Sequence, residues 1–440
     1  MFEYTPLFMI LIVLALLFNF IKCYYNGGIR NNLLNIFTNI TFIIYLFITP
    51  TVFYFSQQYM AFQMDVKEYF GIGFLQIFLH LVFYNWGYFG FAKKKAKVMT
   101  YTNLNSRKLF GKEIEVKMLI IFSSIYLAVF LNTLSAGINL LDVILGKYGE
   151  PTLGLRGGSY YIQNLADSLI GLLVIAFYFK IKPRYFNLML IFTLPLFLVL
   201  GFRYRLILSF FGIFLIYIYD NQVKFKALVK YVAIAAISFY VLLLLTQNRT
   251  VIYMQQFDKI SYDIADFDFE IIFSQSRGSM IDFAVYQYID NNDASIDYGT
   301  TLIGYIFIKM TPASFFAGGV KPYPPPQLLI IDDAINGTRD NGEAVTSLGG
   351  AFIAFYYPGI YLLAFLLGLT IAKLQNRFEK SDLSMVGGII ANLALFQWIT
   401  RGYFPQEIDH LAYMLFPILL LMYFAKKKKR VKNSIKSIIN

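Results

Sequence analysis

The 440-residue chain is 58% hydrophobic and 19% aromatic but only 15% charged, and it carries a formal net charge of +12 at pH 7. An average soluble domain has about a quarter of its residues charged, so a soluble globular protein is excluded. One cysteine permits no internal disulfide, and with two histidines it leaves no zinc constellation; no metal or cofactor is expected, and any chemistry falls to Arg, Lys, Asp, Glu and aromatics.

Apolar residues recur in nearly uncharged runs of roughly 15 to 25, enough for a helix to cross a hydrocarbon core of about 30 Å. The first run, 5–21, follows Glu3 instead of a basic segment and leads into Lys22-Cys23-Tyr24-Tyr25 with no small-residue cleavage site. It reads as a retained span, and no signal peptide is expected. Ten further spans are expected at 33–55, 69–91, 116–136, 160–179, 186–200, 206–219, 227–246, 348–372, 384–400 and 409–425. The expected fold is therefore an all-α polytopic membrane protein of about eleven transmembrane helices. His80, inside the third span, reads as a packing or hydrogen-bonding residue.

Every second connection is rich in lysine, including 92–115, 180–185, 220–226, 373–383 and the tail Lys426-Lys427-Lys428-Lys429-Arg430. The positive-inside rule puts these connections in the cytoplasm, with the N-terminus outside, the C-terminus inside and an odd number of spans. The tail, 426–440, reads as a topological anchor in preference to a nucleic-acid patch. Under this topology 21 of the 26 basic residues inside are lysine, whereas seven of the twelve outside are arginine: Arg156, Arg203, Arg205, Arg249, Arg277, Arg339 and Arg401. Lysine suffices for orientation, while arginine offers a permanently charged fork for phosphate or carboxylate. The outer face looks built to hold an anion; the alternative is that these arginines pair with acidic residues on the same face.

Residues 186–219 must cross twice with 34 residues where about 40 would be comfortable, so Gly201-Phe202-Arg203-Tyr204-Arg205 reads as recessed. Two arginines at that depth are unfavourable, by about 2.5 to 3.5 kcal/mol each at a span centre. An anionic partner such as a lipid-linked diphosphate would offset the cost, against snorkelling or internal pairing. Arg401, after Trp398-Ile399-Thr400, sits at a similar depth. The chain divides into eight helices over 1–246, a large outside loop domain over 247–347 and three helices over 348–425. Within the loop, 278–290 and 300–310 look helical. The stretch from Lys309 to Pro326 is broken by Pro and Gly and is expected to be irregular, lying across the membrane surface.

With these pieces placed, the chain resembles the O-antigen polymerase (Wzy) family, the oligosaccharide repeat unit polymerases. The resemblance is carried by Gly201-Phe202-Arg203 opening an outside turn, Ser276-Arg277-Gly278 beginning a long loop, Thr311-Pro312 and Lys321-Pro322 within it, Ser347-Leu348-Gly349-Gly350-Ala351-Phe352-Ile353-Ala354-Phe355-Tyr356-Tyr357-Pro358-Gly359 where the loop re-enters the membrane, and Arg401-Gly402 after a late span. Family members often carry a glutamate just before the aromatic of the re-entry stretch; here Ala351 precedes Phe352, leaving Glu343 as the nearest substitute. The resemblance implies a C-type membrane glycosyltransferase architecture in the bacterial inner membrane. The implied activity is polymerisation of undecaprenyl-diphosphate-linked oligosaccharides into O-antigen, capsule or exopolysaccharide at the periplasmic face. Implied partners are those lipid-linked substrates and membrane lipid, with a chain-length regulator and a flippase as candidate associates and no nucleic acid.

Glycosyl transfer from a diphosphate needs charge stabilised on the leaving group and an oriented acceptor hydroxyl. Arg203, Arg205, Arg277 and Arg401 are the candidate diphosphate ligands, with Lys321 and Arg339 assisting from the loop. Glu343, Glu407, Asp409 and His410 are the candidates to accept the hydroxyl proton. The bland reading of Glu407-Ile408-Asp409-His410 is a charge-compensated span end, and of His410 an interface residue. Tyr356 and Tyr357 are candidates to stack on sugars. Asp266-Phe267-Asp268 reads as solvated surface and is assigned no metal. A flippase would also need a basic cavity, but no internal repeat of the transporter kind is visible. A ligase of finished polysaccharide shares the plan of spans and large loop, yet 247–347 holds no histidine.

Overall fold

A computed structural model of the chain describes residues 1–93, 112–135, 160–199, 203–221, 278–292, 296–335, 344–378 and 381–439. These residues are almost entirely helical. The helices used below are α1 (Thr5–Tyr25), α2 (Leu33–Phe55), α3 (Phe70–Phe91), α4 (Lys112–Ser135), α5 (Ala166–Tyr178), α6 (Pro183–Val199), α7 (Arg203–Asn221), α8 (Gly278–Asn292), α9 (Tyr305–Met310), α10 (Pro326–Ala334), α11 (Ser347–Arg377), α12 (Asp382–Arg401) and α13 (Phe404–Ile439). The strands among the described residues are two-residue pieces, β1 (Met60–Ala61) and β2 (Met64–Asp65), paired antiparallel.

Eight of the helices among the described residues, α1 to α5 and α11 to α13, are long and apolar enough to cross a membrane. The protein is a membrane-embedded helical protein. Helices α6 and α7 occupy the next two expected positions, and the expected span 227–246 lies outside the described residues. Burial on α1 shows why hydrophobicity alone does not reveal its orientation. Met9, Ile12, Leu16, Asn19 and Cys23 recur every three or four residues on the covered face, while Leu7, Ile10, Leu14, Leu17 and Ile21 leave an equally apolar face uncovered. An exposed apolar face running the length of a 21-residue helix suits a hydrocarbon surrounding.

Two compact units make up the chain: Met1–Val98 with Asp268–Ser381 and Ala394–Asp409, and Met99–Phe267 with Asp382–Leu393 and His410–Asn440. In the first, α3 and α11 approach at backbone distance because each contributes a glycine. A Cβ on Gly87 would lie 2.2 Å from the Phe365 carbonyl oxygen, and one on Gly368 2.2 Å from that of Tyr84. Small residues are how membrane helices gain packing where no hydrophobic drive operates. An amide and tyrosine network ties the same unit together. Asn19 donates to Asn85, Asn35 Nδ2 to Asn19 Oδ1 (3.0 Å), Tyr84 to Asn35 (2.7 Å) and Tyr88 to Asn32 (3.0 Å). Gln375 Oε1 of α11 accepts from the backbone N–H of Leu34 at 2.9 Å.

Three helices depart from regular geometry. In α2 the segment Ile43–Ile48 widens into a π-turn just before Pro50, which has no N–H to donate and would crowd the carbonyl a turn earlier. In α11 the helix is broken at Phe355 (φ −145°, ψ 22°) and Tyr356 (φ 57°, ψ −158°), two residues before Pro358. The expected re-entry stretch is therefore a short half-helix, in which every residue from Val345 to Ala354 is buried. In the loop region the expected helix at 300–310 is a π-turn followed by α9. From Thr311 to Pro325 the chain has only 3₁₀ turns, in line with its Pro and Gly content.

Candidate functional site

The first unit gathers the chain's Gly-rich motifs at the start of α11. Thr346 caps that helix by accepting from Leu348 N–H at 3.2 Å. The Asp282 carboxylate of α8 accepts from Thr346 N–H at 2.8 Å, from the Thr346 hydroxyl and from Gly349 N–H. An acceptor of this charge suits a helix N-terminus, where N–H groups lack partners in the helix. Burial pushes the Asp282 carboxyl up to about 7, against the downward pull of the Thr346 and Gly349 hydrogen bonds. Gly349 faces that carboxylate so closely that a Cβ would lie 2.2 Å from Oδ1. On its neighbour Gly350 a Cβ would lie 2.5 Å from the Gly402 carbonyl oxygen. Gly402 has φ +61°, and a Cβ there would meet the Thr346 carbonyl oxygen at 2.4 Å. The Ser347–Gly350 and Arg401–Gly402 motifs thus meet backbone to backbone, and Gln327 Nε2 of α10 closes the knot on Gly402 O at 3.2 Å.

Beyond this knot, basic residues collect at the start of α13. Lys309 Nζ lies 3.8 Å from Asp409 Oδ2 and 5.6 Å from the centre of the Tyr403 ring. Lys321 Nζ donates to the Lys309 carbonyl oxygen at 2.7 Å, which folds the irregular segment back onto the end of α9. Lys309 and Asp409 are both part-exposed, at 15% and 14% of their side-chain areas. Arg401 is exposed at the end of α12. Two lysines from the loop around one carboxylate at a helix end leave an electropositive site for an anion.

An aromatic patch flanks the break in α11. Tyr356 and Tyr357 both donate to the Asp290 carboxylate, at 2.5 and 2.8 Å. Their rings pack on Phe352 at 4.9 Å each. Tyr356 keeps a third of its surface exposed and can offer a ring face to a sugar.

The second unit holds a buried polar triad built on an ion pair. Arg205 Nε of α7 lies 2.5 Å from Asp167 Oδ1 of α5, and His410 Nδ1 of α13 meets Asp167 Oδ2. The Tyr204 hydroxyl reaches Asp167 Oδ1 at 3.4 Å, and its ring lies 5.3 Å from that of His410. The side chains of Asp167, Arg205 and His410 are at most 3% exposed. In this unit, too, a glycine permits close approach: a Cβ on Gly171 would meet the Met414 carbonyl oxygen at 2.0 Å, and Ser168 donates to Tyr413 O at 2.8 Å. Asp167 was not among the expected site residues, although it is the one carboxylate in its apolar run. An ionisable residue inside a span is the signal that would have found it.

The expected residues therefore separate. Arg205, expected on a recessed turn as a diphosphate ligand, lies inside α7 and is committed to Asp167. A buried guanidinium takes the nearest counter-charge, and here that is internal. His410, an expected acceptor base, is buried on the same carboxylate, and Glu407 is buried at 3% exposure. Asp409 and Lys321 belong to the part-exposed collection around Lys309, a residue that the sequence reading did not single out, and Arg401 lies exposed at the end of α12. Arg277, Arg339, Glu343 and Asp266-Phe267-Asp268 lie outside the described residues, as does the side chain of Arg203. His80 packs edge-on against Phe42 at 5.1 Å, and neither ring nitrogen has a hydrogen-bond partner among the described residues. Compared with protein-family models, curated proteins and solved structures, the chain finds no match.

Proposed function

We propose that the protein is a membrane glycosyltransferase that polymerises polyprenyl-diphosphate-linked oligosaccharide repeat units into a surface polysaccharide at the outer face of the bacterial inner membrane. The reading takes the chain as an eleven-span protein with its Lys-rich connections in the cytoplasm and the 247–347 loop outside. The observation that carries it is the convergence of Lys309, Lys321 and Asp409 where helices end and the loop folds back, with Arg401 exposed at the end of α12 as a further cation for a lipid-borne diphosphate.

In this reading the anomeric C–O bond to the diphosphate of the growing chain breaks as a sugar hydroxyl of the incoming unit attacks that carbon. The hydroxyl proton passes to the Asp409 carboxylate. The polyprenyl diphosphate leaves with its bonding pair, its charge held by Arg401, Lys309 and Lys321. Fixed cations of this kind lower the barrier without needing a metal; losing one such donor costs about 10² to 10³ in rate. Tyr356 and the patch around Asp290 supply a surface on which a glycan can rest.

Purified protein given only synthetic lipid-diphosphate repeat units is expected to produce a ladder of glycan lengths on a gel. No ladder, with lipid-linked sugar crossing the bilayer of proteoliposomes instead, would overturn the reading. That outcome would favour a flippase for the same class of lipid, the second reading, which the Asp167–Arg205–His410 triad supports: intramembrane ionisable groups in contact are the usual parts of proton relays in transporters.

A further inference from the structure

The uncovered side of α1 and the adjoining side of α3 enclose a groove of about 620 Å³. Its walls are apolar, from Leu11 and Phe78 at one end through Leu14 and Val82 to Phe18 and Phe89 at the other. The helices run parallel here, and the groove follows α1 from Leu11 to Lys22, about 17 Å at 1.5 Å per residue. That is close to one leaflet, half of a hydrocarbon core of about 30 Å. Only one end is charged. There the Lys22 ammonium lies 4.4 Å from the Phe89 ring centre and 5.1 Å from that of Phe18. No carboxylate among the described residues pairs with it. Exposed Lys93, two residues beyond α3, adds a second ammonium at the same end.

An apolar channel one leaflet long that ends in unneutralised positive charge is complementary to an acyl chain ending in a phosphate. We propose that this groove is a binding site for one anionic phospholipid, with an acyl chain between α1 and α3 and the phosphate on the Lys22 ammonium. The two flanking rings hold the ammonium in place, so its position does not depend on a protein counter-ion. The inference rests on membrane embedding alone and stands apart from the proposed polymerase activity.

Native mass spectrometry of the full chain, released from micelles doped with equal amounts of phosphatidylglycerol and phosphatidylcholine, tests it. One phosphatidylglycerol is expected to stay bound in preference to phosphatidylcholine. Lys22→Gln should weaken its retention about fivefold, the worth of one lysine at an anionic lipid surface. Gly90→Leu should block the groove; a Cβ at Gly90 meets only a Trp86 ring carbon at 4.0 Å, so the helix tolerates it. Lys67→Gln is the control, since that ammonium also sits over two rings, Phe2 and Tyr59, but away from the groove. Equal retention of the two lipids, or loss in Lys67→Gln equal to that in Lys22→Gln, would overturn the proposal. So would preferential retention of an added polyprenyl diphosphate that Gly90→Leu abolishes. If Gly90→Leu fails to fold, the comparison of the two lysine variants decides alone.

Discussion

Asp167 shows what a single side chain is asked to do inside a membrane protein. Its carboxylate is fully buried, and Arg205 and His410 take the place of solvent around it. Removing one member of a buried ion pair leaves the other uncompensated, at a cost of about 3 to 5 kcal/mol. Asp167→Ala is therefore expected to lower the melting temperature in detergent markedly, while the Asp167→Ala, Arg205→Met double variant recovers part of the loss. Equal damage from both would mean that the pair is not coupled. Asp282 yields a prediction of a different kind. Its carboxyl is held up to about 7 by burial, whereas a free aspartate titrates near 3.9. Between those values the folded protein binds the proton and the unfolded chain does not. This contribution to stability is complete below about pH 4 and is lost as the pH rises through 7. Melting temperature should fall from pH 5 to pH 8, and Asp282→Asn should flatten the slope; an unchanged slope in the variant would remove Asp282 as its cause.

At the scale of elements, the glycines at 349, 350 and 402 are what let α11, α8 and the end of α12 meet. Gly402→Ala combines a left-handed backbone, which costs a residue with a Cβ about 1 to 2 kcal/mol, with a collision against Thr346. Gly349→Ala would push the Asp282 carboxylate off the helix start, with an overpacking cost of about 1 to 3 kcal/mol. Both variants should unfold at lower temperature, whereas Gly304→Ala, where a Cβ meets nothing within 4 Å, should not. Similar losses at all three positions would argue against the knot. Eight of the expected spans were legible, because a 20-residue apolar run has few alternatives in water. The break in α11 at Phe355–Tyr356 was not legible, since 348–372 reads as one uninterrupted apolar span. The triad was not legible. Its members lie 38 and 243 residues apart from Asp167, and Arg205 and His410 drew attention separately for roles that assumed openness. Nothing in local pattern says which charge will face which across packed helices.

For the whole molecule, the proposed account divides labour between two kinds of charge. The triad holds helices of one unit together, and the other unit gathers lysines and a carboxylate where helices end and a loop folds back. Only the second kind is open enough to meet a lipid-borne substrate. The two kinds should therefore fail differently: triad variants through stability, variants at Asp409, Lys309, Lys321 and Arg401 through turnover in a protein that still melts normally. The most direct test is the rate of glycan-ladder formation by purified Asp409→Asn and Arg401→Lys beside the unaltered protein, at matched folding. The account predicts a fall of about 10² or more for each, with the melting temperature unchanged. Ladders of unchanged rate and length in both variants would contradict it.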